Sequence, residues 1–112
     1  MKPAATPEPP YYAVIFTSLR TEADNGYETT AARMVELAAG QPGFLGIEST
    51  RGEDGLGITV SYWESEEAIA SWRNHAEHAV ARKRGWEEWY SHFVTRVAKV
   101  ERAYAFTGRQ VT

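Results

Sequence analysis

FLGIESTRGEDGLGITVSYW, residues 44–63, reads as two strand-like runs, 44–51 and 57–63, around Gly52-Glu53-Asp54-Gly55. A short turn-prone segment between two such runs predicts a hairpin. The segments flanking this hairpin decide the fold. Upstream, Tyr27, Ala31, Met34, Val35 and Ala38 recur at steps of three and four, as one face of a helix does. Asn25-Gly26-Tyr27-Glu28 has the form of a capping box at the start of that helix. Gly40 and Pro42 end it, the glycine being able to take the left-handed conformation past a helix terminus. Before it, residues 11–19, YYAVIFTSL, form an aromatic and β-branched run suited to a strand buried on both faces.

Downstream, Ser65 can cap a short helix that carries Glu66 and Glu67 in its first turn and ends near Arg73. Asn74-His75-Ala76-Glu77 repeats the Asn-x-x-Glu form and predicts a further helix running to about Tyr90. Gly85 weakens that helix by roughly 1 kcal/mol relative to alanine, so a break or kink is expected there. Residues 92–106 predict a long last strand, with Val94, Ala98, Val100, Tyr104 and Phe106 largely on one parity. The order β-α-β-β-α-α-β is the ferredoxin-like α+β plan, an antiparallel four-stranded sheet with its helices on one face. Tyr11, Ala13 and Ile15 on one parity, and Tyr12, Val14 and Phe16 on the other, make both faces of the first strand apolar. The face without helices therefore needs a cover, and a second copy of the sheet is the expected one.

A chain of 112 residues fits one domain. Residues 1–10 hold four of the five prolines and predict a disordered or loosely docked arm, with the domain over 11–106 and a polar tail over 107–112. A net charge of −3 argues against a nucleic-acid surface. The basic run Arg82-Lys83-Arg84 is followed by Glu87 and Glu88 and reads as a solvated helix face. Cysteine is absent, which removes disulfides, thiolate metal sites and cysteine nucleophiles. No apolar run is long enough for a bilayer, and the N-terminus lacks the apolar segment of a signal peptide. A soluble cytoplasmic protein without membrane partners is the expectation.

All four tryptophans, Trp63, Trp72, Trp86 and Trp89, and two of the three histidines fall within residues 62–90. Such clustering marks an aromatic core or the wall of an apolar pocket. His75 and His78 are three apart on one helical face. A metal would want further ligands, and the remaining histidine, His92, lies beyond the helix end, so no metal is expected. An imidazole titrating near about 6.5 suits proton abstraction from a phenol-like substrate, which makes His78 the candidate base. Trp63 and Trp72 are candidate pocket walls. Arg82 could hold an enolate or carboxylate by charge-assisted bonds, and Tyr62, Tyr90 and Tyr104 are donors of the same kind. The serines lie in no nucleophile elbow, and the glycines form neither a dinucleotide nor a phosphate loop, so no flavin or nicotinamide cofactor is expected.

The element order, together with Tyr62-Trp63-Glu64-Ser65, Trp72, His78, Trp89-Tyr90 and Val97-x-x-Val100-Glu101-Arg102-x-Tyr104, resembles the antibiotic biosynthesis monooxygenase (ABM) domain family over roughly residues 11–106. The resemblance implies a dimeric α/β barrel, two ferredoxin-like sheets packed face to face, with a cavity in each protomer between sheet and helices. It implies a homodimer that binds a small aromatic ligand. Some members are cofactor-independent monooxygenases that turn anthrones into quinones, and Trp63 matches a tryptophan lining their pocket. Their asparagine four residues before that tryptophan falls at Thr59, and their tyrosine six residues after it at Ile69. Members that degrade haem carry a histidine where Arg82 stands, and a first-strand asparagine with no counterpart in Tyr11–Leu19. The reading is an oxygenase acting without metal or flavin on an electron-rich aromatic. A non-catalytic ligand-binding or dimerisation module is the alternative, and haem binding a third.

Overall fold

A computed structural model describes residues 2–22, 24–106 and 108. Its strands are β1 (Tyr11–Arg20), β2 (Phe44–Arg51), β3 (Leu56–Trp63) and β4 (Tyr90–Val100). The helices are α1 (Tyr27–Ala39), α2 (Glu66–Arg73) and α3 (Ala76–Arg84), and a wide π turn over Gly85–Trp89 leads into β4. The strands form one antiparallel sheet in the order β2-β3-β1-β4, the expected ferredoxin-like plan.

The register sets which side chains share a face, because successive residues of a strand alternate. Tyr12 pairs with Trp63, Val14 with Ser61 and Phe16 with Thr59, so these six lie on one face. The helices cover that face. Ala38 from α1 and Trp72 from α2 meet Trp63 in the core, with Val14, Met34, Leu37, Phe44, Ala68 and Ile69 packed around them. The opposite face carries Ala13, Ile15, Val60 and Tyr62, and at its far end Leu19, Leu56 and Ile58 stay exposed at 38%, 48% and 42%.

Residues 2–10 form neither helix nor strand and meet this second face. The Ala4 amide donates to Glu48 Oε2 at 2.9 Å, and Thr6 Oγ1 shares a hydrogen bond with the Tyr11 hydroxyl at 2.9 Å. Gly46 makes the room, since a Cβ there would stand 2.9 Å from that of Ala4. The proline-rich arm is thus tied to its own sheet at two points near the Tyr11 end. The polar tail from residue 107 lies outside the described residues except for Gly108.

Local expectations are corrected at several element ends. Asn25 does not cap α1. Its backbone is left-handed (φ 44°), and its carbonyl accepts from Trp89 Nε1 at 3.1 Å and an Arg84 guanidinium nitrogen at 2.7 Å. The Asp24 carboxylate takes the capping role, accepting from the amides of Gly26 at 3.1 Å and Glu28 at 3.4 Å. Gly40 keeps a right-handed φ of −90°, and Gly43 supplies the positive φ of 84° instead. The helix after α2 is capped by His75, whose Nδ1 accepts the Glu77 amide at 3.3 Å, while Asn74 closes α2. It stops at Arg84 rather than Tyr90. Lastly, β4 ends at Val100 and not at 106, because its partner Tyr11 is the first residue of β1 and offers nothing further to pair with.

Candidate functional site

The fold-back of α2 onto the sheet begins at the end of β3. Ser65 Oγ accepts the Ala68 amide at 3.1 Å, the cap expected of it. The Glu64 amide donates to the Gly43 carbonyl at 2.7 Å, and a Cβ on Gly43 would stand 2.6 Å from that of Ala68. Only glycine permits this close crossing. It sets Trp72 against Trp63, ring centroids 6.4 Å apart and 23° from parallel, with Phe44 edge-on to Trp63 at 5.5 Å.

His78 completes the stack. Its ring lies 4.3 Å from that of Trp72 and 9° from parallel, and its Nδ1 is 3.0 Å from the Trp72 carbonyl oxygen. A carbonyl only accepts, so Nδ1 carries the proton and Nε2 keeps its lone pair. Burial lowers the His78 pKa from its ordinary 6.5; the Trp72 carbonyl opposes this, and the positive charges of Arg82, His75 and Arg73 add to it. At neutral pH the ring is therefore an uncharged base.

Arg82 is one turn further along α3. A terminal nitrogen donates to the Arg73 carbonyl at 3.1 Å, closing the C-terminus of α2. Its Nε is buried without a hydrogen-bond partner among the described residues. The remaining candidates stand elsewhere. Tyr62, adjacent to Trp63 in sequence, projects to the opposite face, where its hydroxyl donates to Glu48 Oε1 at 2.6 Å. Burial, reinforced by Glu48, pushes the pKa of that hydroxyl up to about 12. Tyr104 is exposed beyond β4.

Tyr90 belongs to a second cluster that the sequence did not announce. Its ring packs against Phe16 at 5.3 Å, Tyr27 at 5.8 Å and Phe93 at 6.1 Å. Burial raises its pKa, and the Tyr27 hydroxyl adds to the effect. Arg51 lies flat over Gly57, where any Cβ would come within 2.6 Å of the guanidinium carbon. It donates to the Ser18 carbonyl at 3.1 Å, to Ser18 Oγ at 2.8 Å, to the Gly55 carbonyl and to the Tyr27 hydroxyl at 3.4 Å. The Arg20 guanidinium carbon sits 3.7 Å over the Tyr27 ring.

Among the described residues, no group of three or more His, Asp and Glu side chains is arranged to hold a metal ion. Thr59 shares a 2.6 Å hydrogen bond with Ser49, and Ile69 packs against the core. One cleft, of about 320 Å³, is lined by Trp86, Tyr90, Ser91, His92 and Phe93. Another, of about 430 Å³, runs between α1 and α3 past Met34, Glu77 and Val80. Neither includes Trp63, Trp72 or His78 in its wall.

Residues 10–84 match the family model described as antibiotic biosynthesis monooxygenase. The chain is 60% identical over 101 residues to a Bacillus subtilis protein, YqjZ, itself described as uncharacterized, covering 90% of this chain and 89% of that one. Among solved structures it is similar to a variant of SnoaB, a cofactor-independent oxygenase from Streptomyces nogalater, with a TM-score of 0.67 and 16% identity over 90% of this chain and 95% of that one. A Mycobacterium tuberculosis protein, Rv0793, gives a TM-score of 0.72 and 15% identity over 84% and 99%. At these identities the two structures speak for the fold alone.

Proposed function

Because the chain belongs to the antibiotic biosynthesis monooxygenase family, we propose that it oxygenates a small electron-rich aromatic without metal or flavin, using His78 as the base. One observation carries the reading. On α3, where His78 stacks on Trp72, two polar atoms one helical turn apart have unused capacity among the described residues: the lone pair of His78 Nε2 and the buried N–H of Arg82 Nε.

The chemistry assigns a task to each. Nε2 removes the acidic proton of a phenol or of the methylene beside it. The N–H of Arg82 Nε donates to the oxyanion that forms, in a setting where burial strengthens the bond. The resulting carbanion passes one electron to O2, and the radical pair combines to a peroxide anion, which takes the proton back from His78 Nε2 to give a hydroperoxide. Loss of water then leaves a carbonyl, so that one ring methylene and one O2 give one carbonyl and one water. Trp72 is a positioning residue here, holding the His78 ring by its carbonyl and by its indole face. Oxygen uptake with an anthrone tests the proposal. One O2 should be consumed for each carbonyl formed, and His78→Gln should slow the reaction by about 10²-fold or more. Absence of uptake above the uncatalysed rate would remove the enzymatic reading.

A second reading, a ligand-binding or dimerisation module without turnover, draws on Trp63. It is 0% exposed and packed in the core, and neither of the two clefts described reaches it. Under either reading the exposed Leu19, Leu56 and Ile58 support pairing of the open sheet face with a second copy.

A further inference from the structure

The cleft at the start of β4 brings several aromatic rings to the surface together. Trp86 stands 54% exposed and Phe93 38% exposed on its walls, and Tyr90 contributes a third ring. Large aromatics are costly to leave in water, and several exposed around one concavity mark a binding surface. The volume of about 320 Å³ reaches the lower end of the range for small-molecule sites.

The π turn creates this arrangement. Gly85 is buried against the edge of Tyr90, where a Cβ would come within 3.1 Å of the ring. Trp89 then turns inward, its Nε1 donating to the Asn25 carbonyl, while Trp86 is left facing out. Such wide turns, closed by i→i+5 hydrogen bonds, are frequent at functional sites.

Charge defines the ligand. The Arg51 guanidinium carbon lies 6.0 Å from the centre of the Tyr90 ring, and each of its hydrogen bonds goes to a neutral oxygen. A partly buried positive field therefore stands behind one wall. Of the nearby carboxylates, Glu88 is paired with Arg84 at 2.9 Å, and Glu87 does not line the cleft. Ser91 also lines the cleft, and its Oγ, which donates to the Leu19 carbonyl, can still accept.

We propose that this cleft binds a planar aromatic carboxylate, its rings against Trp86 and Phe93 and its charge held by the field of Arg51. The site shares no residue with the His78–Trp72 stack and does not depend on the oxygenase reading.

Calorimetric titration of the full chain with 2-naphthoate, and with the neutral 2-naphthamide, tests it. The acid should bind one site per chain and about 5-fold or more tighter than the amide, the preference shrinking as salt is raised. Trp86→Ala and Phe93→Ser should each weaken naphthoate binding, by about 10-fold for the tryptophan. Both side chains are exposed, so circular dichroism should report a folded protein. His78→Gln should bind naphthoate as the parent chain does. Equal affinity for acid and amide would overturn the assignment of charge. Unchanged affinity in Trp86→Ala, or loss in His78→Gln alone, would place the ligand elsewhere and overturn the site.

Discussion

Trp72 holds His78 twice: its carbonyl oxygen lies 3.0 Å from Nδ1, and its indole stacks on the imidazole at 4.3 Å. The two contacts fix different things. The carbonyl selects the tautomer of the neutral ring, but as an acceptor it also suits the imidazolium. The stack excludes water from one ring face and so disfavours the charged form. Burial is the larger of the two influences, and the pKa falls.

This balance makes stability depend on pH. The folded pKa of His78 lies below 6.5, so the neutral ring contributes its full stability above 6.5. That contribution is lost as pH falls from there through the folded value. Urea unfolding at pH 5 and 7.5 should show a smaller difference for His78→Gln than for the parent chain. An unchanged difference would mean that His78 does not titrate in this way.

Trp63 and Trp86 should behave as opposites. Trp63→Ala removes a fully buried ring and should cost about 3–5 kcal/mol. Trp86→Ala should stay within about 0.5 kcal/mol, as surface substitutions do. Denaturant midpoints with unchanged slopes would give both values directly.

The arm depends on Glu48, which accepts from both the Ala4 amide and the Tyr62 hydroxyl. The Tyr62 bond, and then the Ala4 bond, hold its pKa below 4.5, so the tie is intact above that value and weakens as pH falls through the folded one. Glu48→Ala should speed hydrogen exchange at the Ala4 amide by an order of magnitude or more, because the lost acceptor is the one that protects it. Deleting residues 1–6 should lower stability by less than about 2 kcal/mol.

Self-association is expected through the open sheet face. Light scattering should give about twice the 12.6 kDa of one chain, with an interface above about 1,200 Å² in total. Ile58→Asp introduces a charge into the exposed apolar end of that face and should shift the mass to that of a monomer. A monomeric parent chain at micromolar concentration would contradict the pairing.

The layout of the domain was legible because it rests on periodicity. The hairpin around Gly52–Gly55, the Ser65 cap and the break at Gly85 all arise from local residue chemistry. The start of α1 was misjudged because Asp24 and Asn25 are both plausible caps, and only the tertiary demand of Trp89 and Arg84 on the Asn25 carbonyl separates them. Alternation along β3 already implied that Tyr62 and Trp63 face opposite ways, so grouping both in one site went against the strand period. The Arg51 strut had no local signal. It requires Gly57 opposite it, a pairing that exists only once β2 and β3 are in register.

The five-residue turn at Gly85–Trp89 also makes the chain intolerant of length change at one place. Loss of a single residue there would tighten it to an ordinary α turn and rotate the residues after it by about 100°. Trp89 would swing away from the Asn25 carbonyl, and β4 would meet β1 one residue out of step. Phe93 and Val97, now on the helix-covered side, would exchange sides with Val94 and Ala98. Among related chains, substitutions in this segment should therefore be far commoner than insertions or deletions.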